Sequence, residues 1–387
     1  MKKLFRNAVV TDKNSSRSQD VLTEGGRIIQ TGKDILPDKD TEIFDLDGLT
    51  LMPGFIDMHA HLRTPGFPLK ETFETGLRAA LKGGFTTVCG MANTLPVMDT
   101  RELIFSNYSQ ANALNLTKYI QIGALGMNLS DEKITDLVSV LGVTSLLSND
   151  GNTVFNGEFM AEALAESEKR GFLICTHCQP EAEIIARDLK LLSEHGGRLH
   201  ICHVSEKESV RLIKKAKDSG LSFSCEVTPH HLFGYGIDYI VNPPIGSKED
   251  NDALISAVKD GYITVLATDH APHTEEDKKA ASPGISNIET AFSMYYKVFH
   301  DKGISLNRLS EMISYAPAQL LGLKNGLIEK GYHADMTVVD EKYSGTINTD
   351  DFVSKSKNTP FGGQEIKGKV LMSIVGGEIR YDNRQTV

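Results

Sequence analysis

"LHICHVSEKESVRLIKKAKDSGLSFSCEVTPH", residues 199–230, contains one full unit of the chain's architecture. It opens on an apolar, β-branched run, "LHICHVS" (199–205), and closes on another, "SFSCEVTPH" (222–230). The residues between them have helical spacing. Ser205 with Glu208 three residues later predicts a capping box at the start of that helix, and Gly220 predicts its stop. Strand, helix and strand in this order predict a parallel sheet.

Outward from this unit the same alternation recurs. Six further runs are "LMPGFIDMH" (51–59), "FTTVCGM" (85–91), "YIQIGAL" (119–125), "TSLLSND" (144–150), "FLICTH" (172–177) and "ITVLATDH" (263–270). In "FMAEALAESEKRG" (159–171) apolar residues fall at 159, 160, 163 and 164, and Gly171 marks a stop. Eight such units predict a (β/α)8 TIM barrel, an α/β fold, with a doubly wound open sheet as the alternative. The flanks read as strands with glycine turns: "LFRNAVV" and "TEIFDLDG" before the barrel, "ADMTVVD" and "GKVLMSIVGGEIRYD" after it. "VGGEI" predicts a tight hairpin. Whether the two ends pair with each other cannot be read from these residues.

Composition narrows the function classes. The chain has 387 residues, 40% hydrophobic and 24% charged, enough for a large core plus a smaller domain. A net charge of −10 argues against non-specific nucleic-acid binding and against a basic membrane-facing patch. No segment approaches the ~20 apolar residues of a membrane span, and the N-terminus does not read as a signal peptide. Five cysteines, mostly inside apolar runs, point to a reducing, cytoplasmic setting.

Active sites of such barrels lie at the C-terminal ends of the strands. His59 and His61 end or follow the first run, and as residues i and i+2 they share a face. Asp150 ends the fourth run, His177 the fifth and Asp269 the eighth, while His203 lies near the end of the sixth. A lone H-x-H pair would suit two buried, hydrogen-bonded histidines equally well. Six metal-binding groups on one rim point instead to a divalent metal centre. Zinc brings the pKa of bound water to about 7, which makes a nucleophile for an amide carbonyl. Asp269 is placed to take and pass on a proton, and Asp150, with two oxygens, to bridge two ions. The reaction class is metal-assisted hydrolysis or its reverse. Arg63, two residues beyond His61, Asn93 in "MANT" and His273 in "ATDHAPH" would clamp a substrate carboxylate, with Arg63 giving the bidentate fork.

Other candidates read as structure. Cys175 and Cys178 match C-x-x-C but straddle a strand end and read as core. His230 is either a ligand or a hydrogen-bonded barrel residue. His195 and His200 flank a glycine turn and are expected in solvent, and His300 and His333 are expected to be structural. "EEDK" (275–278) and "KKAKD" (214–218) read as loop or exposed helix faces.

The strings "GFIDMHAHLRTPGF", "GGFTTVCGMANT", "HICHVSEKESV", "EVTPHHL", "NPPIGSKED" and "ATDHAPH", in this order, resemble the dihydroorotases of the amidohydrolase superfamily. The resemblance implies a barrel over 53–330 and a small composite β-sandwich from 1–52 and 331–387. It implies the zinc-dependent, reversible closure of N-carbamoyl-L-aspartate to L-dihydroorotate in pyrimidine synthesis, with one or two Zn²⁺ per chain, two favoured. His59 and His61 would serve one zinc, His177 and His203 the other, with Asp150 at the pair and Asp269 as ligand and base. Arg63, Asn93 and His273 would hold the carboxylate, and Asn242 with the backbone of "SPG" (282–284) the ring. A homodimer, and association with aspartate transcarbamoylase, are the partners to expect beyond the small-molecule substrate. Three departures stand out. The fourth strand has no lysine, which fits the aspartate-bridged branch, but the acid usual beside Asp150 is Asn149. Ala92 replaces the usual proline. The segment after His177 is short. Hydantoinase, dihydropyrimidinase or allantoinase activity is the alternative of the same chemistry, and a metal-free scaffold partner of aspartate transcarbamoylase is the non-enzymatic one.

Overall fold

In a computed structural model the chain is described over residues 1–384; residues 385–387, the end of the expected second flank, lie outside the described residues. The run "LMPGFIDMH" turns out to be two strands. Thr50–Pro53 pairs antiparallel with Met336–Thr346, and Phe55–Ala60 is the first barrel strand. Gly54 makes the crossing. A Cβ there would lie 2.2 Å from Thr86 Oγ1, so only glycine fits.

The remaining barrel strands are Phe85–Gly90, the split third strand Lys118–Gln121 and Gly123–Ala124, Leu146–Ser148, Leu173–Thr176, Arg198–Ile201, Ser224–Val227 and Val265–Leu266. Each pairs in parallel with the next along two arcs, first to third and third to eighth. The arcs close on each other at the first and eighth strands. Ala60 bridges His270 in parallel, the Asp269 amide donates to His59 O (2.9 Å) and the His61 amide to His270 O (2.8 Å). That closure makes a barrel and not an open sheet, and it sits among the candidate site residues.

Helices cover the outside. Gly157–Arg170 is capped by the Asn156 side chain and stops at Gly171 in left-handed backbone (φ 77°); Phe159, Met160, Ala163 and Leu164 are buried, as their spacing predicts. The helix after the sixth strand begins later than the sequence suggests, as Lys207–Asp218, with Glu206 at its N-cap and no side-chain cap. Ser205 is engaged elsewhere: its amide donates to Glu181 Oε1 (2.9 Å), and its hydroxyl also bonds Glu181. The expected capping box therefore does not form. The run "SFSCEVTPH" is also shorter as a strand, because Thr228 caps a one-turn helix, Pro229–Phe233, that takes His230.

Outside the barrel, Lys2–Thr11, Ser16–Glu24, Arg27–Gly32, Thr41–Asp45 and Thr50–Pro53 join Met336–Thr346, Glu365–Val375 and Glu378–Asp382 in one mostly antiparallel sheet. Thr50–Pro53 is the seam, paired with Lys2–Thr11 on one side and Met336–Thr346 on the other. Phe5, Val21, Leu51, Met336, Val338, Met372 and Ile374 form a separate apolar core beside it. Gly376 and Gly377 (φ 58° and 78°) make the two-residue hairpin.

Candidate active site

The candidate ligands all follow or end barrel strands and all are buried. His59 is inside the first strand. His61, Asp150, His177, His203 and Asp269 stand on the first turns beyond their strands. They fall into two groups close enough to share an ion: His59, His61 and Asp269, and Asp150, His177 and His203. Asp150 lies between the groups. Its Oδ1 is 3.4 Å from His59 Nε2 and 3.3 Å from His203 Nε2, and its Oδ2 is 3.2 Å from His61 Nε2. Asp269 Oδ1 is 3.5 Å from His59 Nε2 and 3.2 Å from His61 Nε2.

Two groups orient these imidazoles. Glu226 Oε1 lies 2.7 Å from His59 Nδ1, and Asn93 Oδ1 lies 2.9 Å from His61 Nδ1. Each oxygen accepts the Nδ1 proton, so each Nε2 presents a lone pair. Those lone pairs face the carboxylates of Asp150 and Asp269. His59 Nε2 is buried and has no hydrogen-bond partner. With both imidazoles neutral, four acceptors converge here and repel one another unless a positive charge stands among them, which either a ring proton or a metal cation supplies. The residues present therefore fit a divalent metal.

The charges reinforce one another. Burial alone would raise Asp150 and Asp269, but His59 and the neighbouring imidazoles hold both well below the usual carboxylate range. Burial would lower His59 and His61, yet Asp150, with Glu226 and Asp269 at His59 and Asp269 at His61, raises both. Glu226, fully buried, is drawn down to about 2 despite burial by His59 and by His200, whose Nε2 is 2.9 Å from Oε2. Burial pushes Asp57 up to about 6, against hydrogen bonds from Thr268 Oγ1 (2.6 Å), the Thr268 amide (2.9 Å) and the His59 amide (3.2 Å).

Above this floor opens a cleft of about 230 Å³ lined by His61, Arg63, Asn93, Asp150, His177, Asn242, Asp269, His273 and the backbone of Ser282–Gly284. Arg63 donates from Nε to Pro272 O (3.1 Å), and its Nη2 is 3.0 Å from His273 Nε2. Burial brings Arg63 down to about 10, opposed by Asp269, Asp150 and Asp277, so it keeps its charge at neutral pH. Burial, with Arg63 and Lys70 nearby, lowers His273 to about 4 and keeps it neutral there. The Asn242 side-chain amide lies 3.1 Å from His177 Nε2, and His177 Nδ1 faces His203 Nε2 (2.9 Å) and Asp150. The cleft thus combines a cation-binding floor with a cationic and amide-bearing wall, which suits an anionic substrate carrying a scissile carbonyl.

Several residues lie elsewhere than expected, or escaped the sequence reading. His200 is buried, not solvated; its Nδ1 is 2.8 Å from Ser224 Oγ, and its other nitrogen meets Glu226. Lys278 is half-buried rather than on an exposed face. His230 is outside both ligand groups, with Nδ1 3.2 Å from Asn287 Nδ2. Cys175 and Cys178 are free and buried in the core. Glu226 and Asp57 were missed. Their signal is an acid inside an otherwise apolar strand run, "SCEV" and "GFIDM". Asn149 is tied on both sides, accepting from the Gly126 amide (2.9 Å) and donating to Ser130 O (3.0 Å). Asn93 reaches the cleft from a turn in which the Thr94 and Met98 amides both donate to Ala92 O. After His177 the chain passes directly through Gln179 and Pro180 into helix Glu181–His195.

Comparison with known proteins gives a family. The amidohydrolase family model matches residues 50–380. A dihydroorotase of Lactobacillus leichmannii is 37% identical over 421 aligned positions, covering 98% of each chain. One of Clostridium botulinum (strain Eklund 17B / Type B) is 36% identical, covering 98% of this chain and all of its own. Among solved structures, an L-hydantoinase (dihydropyrimidinase) from Arthrobacter aurescens superposes with a TM-score of 0.90 at 23% identity, over 98% of this chain and 96% of its own. The dihydropyrimidinase of Brevibacillus agri NCHU1002 gives 0.89 at 24%, over 99% and 96%. At those identities the structural likeness speaks for the fold.

Proposed function

The chain belongs to the amidohydrolase family, as a cyclic amidohydrolase, and from that premise we propose that it is a dihydroorotase, interconverting N-carbamoyl-L-aspartate and L-dihydroorotate. The observation that carries the reading is one cleft in which Arg63, Asn93 and His273 stand over the lone pairs of His59, His61, Asp150 and Asp269. The full-length similarity to dihydroorotases supports the same substrate.

Two zinc ions fit the donor set. His59, His61 and Asp269 would hold one, His177 and His203 the other, with Asp150 shared. When bound, zinc acidifies water and polarises a carbonyl. The protein's own groups do the rest. Arg63 pairs with the ring carboxylate, Asn93 and His273 flank it, and Asn242 with the Ser282–Gly284 backbone orients the ring. Asp269 takes the proton of the attacking water and gives it to the departing ring nitrogen; in ring closure it runs the exchange backwards. Glu226 and Asn93 keep the Nδ1 protons in place so that His59 and His61 turn lone pairs to the floor.

The competing reading is a hydantoinase or dihydropyrimidinase, of the same reaction class and fold. Those substrates carry no carboxylate for Arg63. A panel of L-dihydroorotate, dihydrouracil, hydantoin and allantoin decides between them with the zinc-loaded enzyme. Dihydroorotate is expected to have the highest kcat/KM, and faster turnover of dihydrouracil or hydantoin overturns the assignment. Metal analysis by mass spectrometry tests the ion count, with two zinc per chain expected.

A further inference from the structure

Lys278 lies on the five-residue helix Glu275–Lys279, just after His273. Its Nζ donates to three carbonyls: Ile240 O at 2.8 Å, Ser282 O at 2.9 Å and Gly284 O at 2.9 Å. An ammonium has three protons, and all three are used. The Tyr239 ring covers the same cation, with Nζ 4.3 Å from its centroid. The three carbonyls belong to two separate stretches. One runs through Ile240 to Asn242, the other is Ser282–Gly284; Asn242 at the end of the first and all three residues of the second line the cleft. A single backbone bond also joins them, from the Gly284 amide to Ile240 O (3.1 Å).

The helix that carries Lys278 is itself anchored on its far side. Thr274 and Asp277 form a capping box, and Lys70 Nζ lies 3.3 Å from Asp277 Oδ1 and 3.3 Å from His273 Nδ1. The Ser282–Gly284 wall is held in part by the Ser282 amide on Asp277 O (2.9 Å), by the Gly284 amide on Ile240 O and by Pro283 O, 2.9 Å from His273 Nε2; Lys278 adds a charged donor to the carbonyls of Ser282 and Gly284. Gly284 packs so closely on the floor of the loop that a Cβ would lie 2.4 Å from Ala271 O. It can carry no side chain to fasten itself, and its carbonyl takes its donor from Lys278.

We propose that Lys278 is a positioning residue for the reaction: it latches Ser282–Gly284 to the Ile240–Asn242 segment and so fixes the wall against which the substrate ring lies. Burial brings the Lys278 ammonium down to about 8, so at neutral pH it keeps the three protons the latch needs. The ring named here rests on the dihydroorotase reading; the latch itself does not.

The test uses K278M, which keeps the aliphatic stem and removes every donor, and K278R, which keeps charge and donors. Losing these charge-assisted bonds should raise KM for dihydroorotate about tenfold in K278M while kcat changes less than about threefold, with K278R between it and wild type. Hydrogen exchange in the substrate-free protein gives the second readout. Amides in the peptide spanning 280–287 should exchange at least about tenfold faster in K278M, with helices such as Gly157–Arg170 unaffected. Unchanged exchange in that peptide removes the latch. Faster exchange with unchanged KM removes its role in binding. If the wild type does not turn over dihydroorotate, the functional reading falls, and the exchange measurement still decides the latch. If K278M does not fold, K278R carries both measurements, and wild-type KM with accelerated exchange in it overturns the proposal.

Discussion

The floor of the cleft and its rim are held by different means. The floor is made of His59, His61, Asp150, His177, His203 and Asp269, within three residues of the ends of barrel strands. Side chains behind and beside it support it: Glu226 at His59 and Thr268 at Asp57 from the barrel interior, and Asn93 at His61 from the turn after the second strand. The rim is made of Arg63, His273, Asn242 and the Ser282–Gly284 backbone, all on connecting segments. It is tied by side chain to backbone bonds, such as Arg63 to Pro272 O and Lys278 to its three carbonyls. A floor fixed by rigid strands suits groups that must keep sub-ångström geometry for chemistry. A rim on loops suits groups that only need to grip and release. Changes in the floor should therefore strike turnover and metal binding, and changes in the rim should strike KM.

The largest expected effect is in the floor. Asp269→Asn keeps the shape but removes the base we propose, so kcat should fall roughly 10²–10⁴-fold with KM little changed. Steady-state kinetics on the zinc-loaded variant decides this, and wild-type kcat would take Asp269 out of the proton transfer. Next comes Glu226→Gln. The carboxylate that takes the His59 Nδ1 proton becomes an amide, and zinc affinity should drop by about 10–100-fold. Competition with a chelator measures that without reference to turnover, and unchanged affinity would mean the orientation of His59 is set by packing alone. The rim counterpart is Arg63→Ala. It should raise KM for dihydroorotate roughly ten- to thirtyfold, as for the loss of one charge-assisted pair, and leave zinc content as in wild type. If this variant instead lost zinc, the separation of floor and rim would break.

The same division explains what could be read from the sequence. The floor was legible because strand periodicity places the last residue of each run, and one rim of a barrel collects those residues. The supports beneath it were not. Glu226 is a single acid in "SCEV", and an alternating strand usually turns such an acid to solvent; only the closed barrel makes its face an interior. His200 was misread for a similar reason. The glycines at 196 and 197 suggest a turn that continues, whereas strand Arg198–Ile201 begins directly after them and registers His200 against Cys175, inside the barrel. The rim was legible in residue type but not in direction. A five-residue helix has no periodicity to say which way Lys278 points. Nor can a sequence show that Arg63, His203 and Asp269 take left-handed backbone (φ 57°, 33° and 47°), a strained geometry that only the surrounding tertiary contacts impose. The boundary inside "LMPGFIDMH" was hidden as well, because two adjacent strands of different sheets read as one apolar run.

The smallest expected effect concerns Asn149, beside Asp150, where the resemblance to dihydroorotases leads one to expect an acid. The structure gives the amide a use at both ends. Its Oδ1 accepts from the Gly126 amide and its Nδ2 donates to Ser130 O, which fastens the Gly126–Ser130 turn to the end of the fourth strand. The turn is tight: a Cβ on Gly126 would lie 1.8 Å from Ser130 O. Asn149→Asp keeps the acceptor, but it sets a carboxylate against the Ser130 carbonyl and adds a second negative charge next to Asp150. The cost should be about 1–2 kcal/mol of folding stability, read from urea unfolding at constant zinc. No floor ligand is removed, so kcat/KM should stay within about threefold of wild type, as for a substitution that only loosens a turn. A variant as stable as wild type would show that the turn does not need the amide. A large fall in kcat with stability intact would show that Asn149 acts on Asp150 directly, and would make it part of the floor.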